Sequence, residues 1–262
     1  MTKEQPLKNI RVAITRAEHQ AQIQREMLEP LGAEVYHYPC IQILPLRDFS
    51  ELDAALARAS NGAFDWLVFT SANTVTRIAE RMQQLELPPR NLVDLKIASV
   101  GPQTERRVQQ LFGLQSAALP PTYTASELAK VLDVKAGEQI FLPQSSLART
   151  TMLDALRAAD AEVTQVAAYR TQIAQGGDHV PVMLWEGKID AITFTSESTV
   201  RFFAKRLDFE QGTTSMLDDV CVACIGPVTA AAAKSLGISV QVMPTEHTLD
   251  GLHAGLIDYF SK

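Results

Sequence analysis

One phrase occurs twice in this chain, and it restricts the fold more than any other feature. Asp65 to Val75 reads DWLVFTSANTV, and 125 positions later Asp190 to Val200 reads DAITFTSESTV. The echo continues at the same offset. Val75, Ile78, Ala79 and Met82 follow the first copy at i, i+3, i+4, i+7, the apolar face of a helix. Val200, Phe203, Ala204 and Leu207 follow the second with identical spacing. Next, LKIASVGPQTERRVQQLFGL (95–114) answers VCVACIGPVTAAAAKSLGI (220–238), with Gly101-Pro102 opposite Gly226-Pro227 and Thr104 opposite Thr229. Val108 and Leu111 continue one helix face, Ala233 and Leu236 the other. Thr124 and Thr248 each open a further helix after a proline-containing loop. Upstream, 9–43 resembles 138–173 more weakly and at a slightly different offset.

Two long copies are a duplicated domain, not a solenoid. Each reads strand, helix, strand, then strand–helix twice, then a short helix. Short apolar runs such as WLVF, IASV and AITF alternate with amphipathic helices, which predicts parallel sheets covered by helices on both faces. The expected class is α/β, with two parallel-sheet domains of Rossmann-like character related by internal duplication. The segments 37–45 (HYPCIQILP) and 167–174 (AAYRTQIA) are extended and equivalently placed, so they are the expected connectors, a linker of two strands. A double crossover would put residues 1–36 with 175–262 in one domain and 46–166 in the other. Periodicity alone leaves open whether the first β-α unit packs with the other half.

Composition narrows the partners. The chain is 46% apolar and 21% charged with a formal net charge of −6, which argues against general nucleic-acid binding. No apolar run approaches a membrane span. The polar start MTKEQPLKNI is unlike a secretory signal, so the cytoplasm is the expected location. Cys40, Cys221 and Cys224 make no disulfide framework. Cys221 and Cys224 fall in a strand-like run, where residues three apart face opposite ways, and they read as buried apolar residues rather than a metal or redox pair. His19, His37, His179 and His247 read as surface or loop residues, and His253 falls on the last helix. No metal spacing, nucleophile elbow, P-loop or dinucleotide fingerprint is present, so no metal or nucleotide is expected.

The doubled turns carry the chemistry. A strand that ends in Thr-Ser and opens a helix presents hydroxyls, free N–H groups and the positive end of a helix dipole together. Such a spot binds carboxylate or phosphate without Lys or Arg, although N-capping alone accounts for the same residues. Ser71, Asn73, Ser196 and Ser198 are therefore candidates. So are Gly101, Gln103 and Thr104 in one Gly-Pro turn, and Gly226 and Thr229 in the other. Gly101 and Gly226 supply a flexible residue, and each following Pro occupies a helix start where a missing N–H costs nothing. Arg16 ends the first strand, and Gln144, Ser145 and Arg149 lie in the comparable loop of the second copy, where Arg149 reads as a solvated helix face. Tyr169 sits in a connector, facing the space between the domains, with a phenol able to donate a proton or hydrogen bond.

Taken together, ITR, FTSANTV, FTSESTV, SVGPQT, CIGPVT and AEVTQVAAYRT resemble the uroporphyrinogen-III synthase family from about residue 10 to residue 258. The resemblance implies two flavodoxin-like domains joined by a two-stranded ladder, the N-terminal unit packing with the C-terminal half. It implies a cofactor-free, metal-free lyase that takes linear hydroxymethylbilane, loses water, inverts ring D through a spirocyclic intermediate and closes uroporphyrinogen III in haem synthesis. The substrate would be a linear tetrapyrrole with eight carboxylates. Tyr169 matches the family's tyrosine as an acid or orienting donor, Thr104 and Thr229 its Gly-x-x-Thr threonines, Ser71 and Ser196 its Thr-Ser serines. Gln144 stands where an arginine is common. A monomer is expected, with transient hand-over from the preceding pathway enzyme. The rival readings are a non-catalytic, hinged two-domain binding or sensor protein for an anionic small molecule, and a regulatory module built on the same fold.

Overall fold

The computed structural model describes residues 5–262, and the His19 side chain lies outside the described residues. The first half of the chain forms β1 (Arg11–Ile14), α1 (Glu18–Leu28), β2 (Glu34–His37), β3 (Ile41–Leu44) and α2 (Ser50–Ser60). It continues with β4 (Trp66–Phe69), α3 (Ala72–Gln84), β5 (Lys96–Ser99), α4 (Pro102–Phe112) and α5 (Ala125–Val131). The second half forms β6 (Gln139–Ser145), α6 (Thr151–Ala158), β7 (Glu162–Ile173) and α7 (Val180–Trp185). It ends with β8 (Ala191–Phe194), α8 (Glu197–Phe209), β9 (Cys221–Cys224), α9 (Pro227–Ser235) and α10 (Leu249–Phe260). Helices α2 and α7 are additions to the expected plan. Leu52, Ala55, Leu56 and Ala59 give α2 a buried stripe at helical spacing, and α7 buries Val180 and Leu184 in only six residues.

The chain divides into two compact units, Met1–Ile43 with Gln172–Lys262, and Leu44–Thr171. In the first, the sheet order is β2-β1-β8-β9, every pair parallel. In the second, the order is β7-β6-β4-β5, joined by parallel pairs. On one side β1 pairs with β2, the next strand in sequence. On the other it pairs with β8 from the far half of the chain, Val12 lying opposite Ala191.

Both faces of the first sheet are covered. Ala13, Ile192, Phe194, Val222 and Cys224 pack beneath α7, α8 and α9, where Phe203 meets Phe194 edge to face. Val12, Ile14, Val35, Ala191 and Cys221 pack on the other side with Ala21 and Leu28 of α1 and Leu252 and Leu256 of α10. Each fully buried Phe or Leu here contributes about 1.5–3 kcal/mol relative to exposure. Cys221 and Cys224 are thus on opposite faces of β9, free and buried, and burial pushes both thiols up to about 12. In the second unit, Trp66, Val68, Ile140 and Leu142 pack with α5 and α6, while Phe69 stacks on Phe112 of α4.

The aspartate that opens each doubled phrase has a structural task. Asp190 accepts from the Arg11 N–H (2.8 Å) and from the Arg11 side chain at Nε (2.8 Å) and Nη2 (2.7 Å). Arg11 holds the Asp190 carboxyl below the usual range by these hydrogen bonds, against some desolvation. Asp65 makes the matching backbone bond, accepting from the Gln139 N–H at 2.7 Å. Each aspartate pins the first residue of the neighbouring strand, β1 or β6, and so fixes sheet register.

Candidate functional site

In a sheet of parallel strands the carboxyl ends share one edge, and ligands enter where strand order reverses. In the first unit that point lies between β1 and β8, flanked by Thr15-Arg16 and Thr195-Ser196. In the second it lies between β6 and β4, flanked by Ser145 and Thr70-Ser71. A side chain bridges each point. Thr15 Oγ1 donates to Thr193 O (2.7 Å), and Gln144 Nε2 donates to Thr70 Oγ1 (3.4 Å).

The Thr-Ser turns are helix caps of matching geometry. Ser71 Oγ accepts the Thr74 N–H at 3.2 Å, and Ser196 Oγ accepts the Thr199 N–H at 3.2 Å. Each cap belongs to a 13-residue helix, long enough to carry a dipole. Asn73 and Ser198 occupy the second helical position, Asn73 half-buried and Ser198 exposed with its hydroxyl 3.0 Å from Ser196 Oγ. Thr124 and Thr248 cap α5 and α10 in the same way.

At the Gly-Pro turns the expectation of a flexible glycine is corrected. Gly101 and Gly226 are extended (φ −174° and −173°), a conformation open to any residue. Their lack of a side chain is needed for close approach. A Cβ would sit 3.1 Å from Tyr123 Cβ at Gly101 and 3.2 Å from the His247 ring at Gly226. Thr104 and Thr229 lie beneath these turns, both buried, rather than open at the mouth, and Gln103 is exposed.

Three further expectations change. Gln144 is a buried strand residue of β6 rather than part of an open loop, accepting from Gln165 Nε2 at 3.1 Å. Arg149 is exposed in the turn that precedes α6, not on a helix face. His37 is buried in β2, its Nε2 2.9 Å from the Arg16 carbonyl oxygen and its Nδ1 3.3 Å from a Glu18 carboxylate oxygen. His179 and His247 are exposed and His253 is buried in α10.

Tyr169 is 6% exposed, in β7, and its hydroxyl lies 3.4 Å from Ser71 Oγ. Ser145, beside the irregularity that ends the β6–β7 ladder, is 2.9 Å from Thr171 Oγ1. The second unit therefore gathers Ser71, Tyr169, Gln144 and Ser145 near the carboxyl ends of β4 and β6, by way of Thr70 and Thr171. In the first unit Arg16 is half-buried, its Nη2 3.3 Å from Gln20 Oε1 and its buried Nε–H without a partner. Burial pushes this guanidinium below the usual arginine range. Among the described residues no cluster of three His, Cys, Asp or Glu side chains could hold a metal ion.

The model of the family described as "Uroporphyrinogen-III synthase HemD" matches residues 22–254. A uroporphyrinogen-III synthase of Synechococcus elongatus is 31% identical over 254 residues, covering 95% of each chain. The chain belongs to the uroporphyrinogen-III synthase family. Porphyrin biosynthesis protein HemD of Ruminiclostridium josui is 28% identical over 97% of this chain, which spans about half (49%) of that protein. In fold, the chain resembles a mutant uroporphyrinogen III synthase from Thermus thermophilus, with a TM-score of 0.74, 19% identity and coverage of 96% and 99% of the two chains.

Reading uroporphyrinogen-III synthase features from motifs alone misses the residues that hold the motifs. Thr15, Gln24, Thr193 and His253 are all buried polar side chains. One signal was available. Gln24 falls between Ala21 and Leu28 on the buried stripe of α1, where an amphipathic helix places an apolar residue.

Proposed function

We propose that this chain, as a uroporphyrinogen-III synthase, cyclises linear hydroxymethylbilane to uroporphyrinogen III with loss of water and inversion of ring D. The observation that carries the chemistry is the Tyr169 hydroxyl 3.4 Å from the N-capping hydroxyl of Ser71. Ser71 Oγ accepts the Thr74 N–H, so its own proton remains to serve a neighbouring oxygen, Thr74 Oγ1 or that of Tyr169. Tyr169 gives its proton to the departing hydroxyl as the C–O bond breaks, water leaves, and an azafulvenium cation remains. Ring D then attacks the cation through its substituted carbon to form the spirocycle. The bond from that carbon to its original bridge breaks, the free α-carbon of ring D closes onto that bridge with the ring reversed, and the proton this carbon sheds restores the Tyr169 phenol. That outcome is a matter of holding ring D in place, an orientational task.

The substrate's carboxylates are bound by the dipole ends of α3 and α8, with Ser71, Asn73, Ser196 and Ser198, and by Arg16. The Gly101–Thr104 and Gly226–Thr229 turns, and Gln103, Ser145 and Arg149, complete the donor set; Gln144 acts through Thr70. The corresponding strand orders of the two sheets support descent of two flavodoxin-like domains from one duplicated ancestor. In this reading 37–45 and 167–174 connect a domain of 1–36 with 175–262 to one of 46–166. It includes a monomer that works in the cytoplasm without a cofactor and receives substrate from the preceding enzyme. Among the described residues no helix is long and apolar enough to cross a membrane.

The test is to supply fresh hydroxymethylbilane and measure the ratio of type III to type I product. A ratio no higher than the spontaneous type I background would return the chain to the class of anion-binding proteins. Tyr169→Phe is expected to lower turnover about 100-fold while leaving product identity unchanged, the scale of one general acid. Unchanged turnover in that variant removes Tyr169 from the acid role.

A further inference from the structure

The strand that carries Tyr169 has one residue more than its neighbour. From Gln139 to Gln144, β6 runs in step with β7, ending with Gln144 opposite Ala167. Ser145 then lies opposite Tyr169, so the register passes over Ala168. Up to that point the strand alternates, with Val166 and Ala168 buried and Ala167 between them half-buried. Tyr169 is buried directly after Ala168, out of that alternation. The side-chain period of a strand is two, so one extra residue re-aims whatever follows it. Past this bulge the Tyr169 hydroxyl comes within 3.4 Å of Ser71 Oγ. Polar contacts hold the strand on either side of it. The Ser146 N–H donates to the Tyr169 carbonyl at 2.9 Å, and Arg170 Nε donates to the Pro45 carbonyl at 3.1 Å. Two residues after Tyr169, Thr171 Oγ1 lies 2.9 Å from Ser145 Oγ, which also accepts the Leu147 N–H at 3.3 Å.

We propose that Thr171 is a positioning residue, whose hydroxyl, paired with Ser145, pins β7 just past the bulge and so keeps the Tyr169 phenol on Ser71. The contact between Tyr169 and Ser71 is at the long end of the hydrogen-bonding range, so a small displacement of the strand breaks it. The bond from the Ser146 N–H fixes the Tyr169 carbonyl at one point, and the Thr171–Ser145 pair supplies a second point two residues on. Either hydroxyl of that pair can donate to the other. The pair is neutral, so it ties the strand down without setting a charge beside donors that serve substrate carboxylates. Valine in place of Thr171 keeps the branched shape that suits a strand and removes only the hydroxyl.

This inference rests on the acid role of Tyr169 in the proposed function. The test is a double-mutant cycle with Thr171→Val, Tyr169→Phe and the combined variant, with Thr171→Ser as the rescue. Turnover of hydroxymethylbilane is read together with the 19F spectrum of chain labelled with 3-fluorotyrosine, the Tyr169 signal being the one that Tyr169→Phe removes. Thr171→Val is expected to lower kcat about 5-fold with KM within about 2-fold, the scale of one neutral hydrogen bond. Thr171→Ser is expected to stay within about 2-fold of the wild type in kcat, because it keeps the hydroxyl. In the Tyr169→Phe background the valine change is expected to alter kcat less than about 2-fold, because coupled residues are non-additive. The Tyr169 resonance is expected to move in Thr171→Val and to return in Thr171→Ser. Folded Thr171→Val with unaltered kcat overturns the proposal, as does an equal factor in both backgrounds, a serine variant as slow as the valine one, or an unmoved resonance. Should Thr171→Val fail to fold, Thr171→Ala serves under the same criteria. Unchanged turnover in Tyr169→Phe, or wild-type chain that forms only type I product, overturns the function instead, and the resonance alone then decides whether Thr171 positions Tyr169.

Discussion

Arg206→Met is expected to destabilise the first unit by about 2–3 kcal/mol, the scale of leaving a buried carbonyl without its charged donor. Arg206 is 5% exposed on α8 and reaches both chain segments that leave this unit. Its Nη1 donates to the Pro39 carbonyl and its Nη2 to the Gly176 carbonyl (2.8 Å), while Nε binds Glu210 Oε1 (2.8 Å). The guanidinium also lies 3.8 Å above the Tyr38 ring, whose hydroxyl donates to Glu210 Oε2 at 2.9 Å. Burial first, and then the hydrogen bond to Glu210, push that phenol well above its usual range, so it stays a donor. Methionine fills comparable volume but leaves the Pro39 and Gly176 carbonyls without their donor, while Glu210 keeps its bond from Tyr38. Urea unfolding of the whole chain measures the change, and a loss under about 1 kcal/mol would show that Arg206 is a solvated, replaceable contact.

The second large effect is expected at Gly177. It adopts φ +80°, and a Cβ there would overlap the His37 carbonyl oxygen and Pro39 Cδ. The same carbonyl accepts the Asp178 N–H at 2.7 Å, and the Asp178 carboxylate accepts the His37 N–H at 2.6 Å, so the backbone cannot shift without breaking both bonds. Gly177→Ala is expected to cost upwards of about 3 kcal/mol, the left-handed penalty plus a backbone collision. Gly176 is the internal control. It has φ +79° but open space around its Cβ position, so Gly176→Ala is expected to cost only about 1–2 kcal/mol. Thermal unfolding of the two variants side by side decides the matter. Equal losses would mean that conformation alone, not the contact with His37, sets the requirement.

These positions show where sequence reading reaches its range. Ser71, Ser196, Thr124 and Thr248 are legible as caps because capping is local, a hydroxyl meeting an N–H three residues on. The faces of Cys221 and Cys224 follow from the two-residue period of a strand. Arg206 was not legible, since it is one arginine in a helix whose opposite face is charged. Nor was Gln144, because a glutamine after FLP reads equally as strand end or loop, and only its neighbours Thr70 and Gln165 bury it. The short apolar faces of α2 and α7 were written in the sequence but lie outside the doubled pattern that organised the rest.

What the sequence determined by itself is the repeated strand–turn–helix unit, its caps and its apolar faces, all set by contacts within a few residues. Tertiary structure alone decided which strands become neighbours. β1 pairs with β8 and β6 with β4, although the ladder bonds of any parallel pair are alike and periodicity names no partner. The choice is enforced by contacts between residues 179 and 74 positions apart, Asp190 with Arg11 and Asp65 with Gln139. The aspartates that open DAITFTSESTV and DWLVFTSANTV therefore carry the register, while the Thr-Ser turns within them cap the helices that follow.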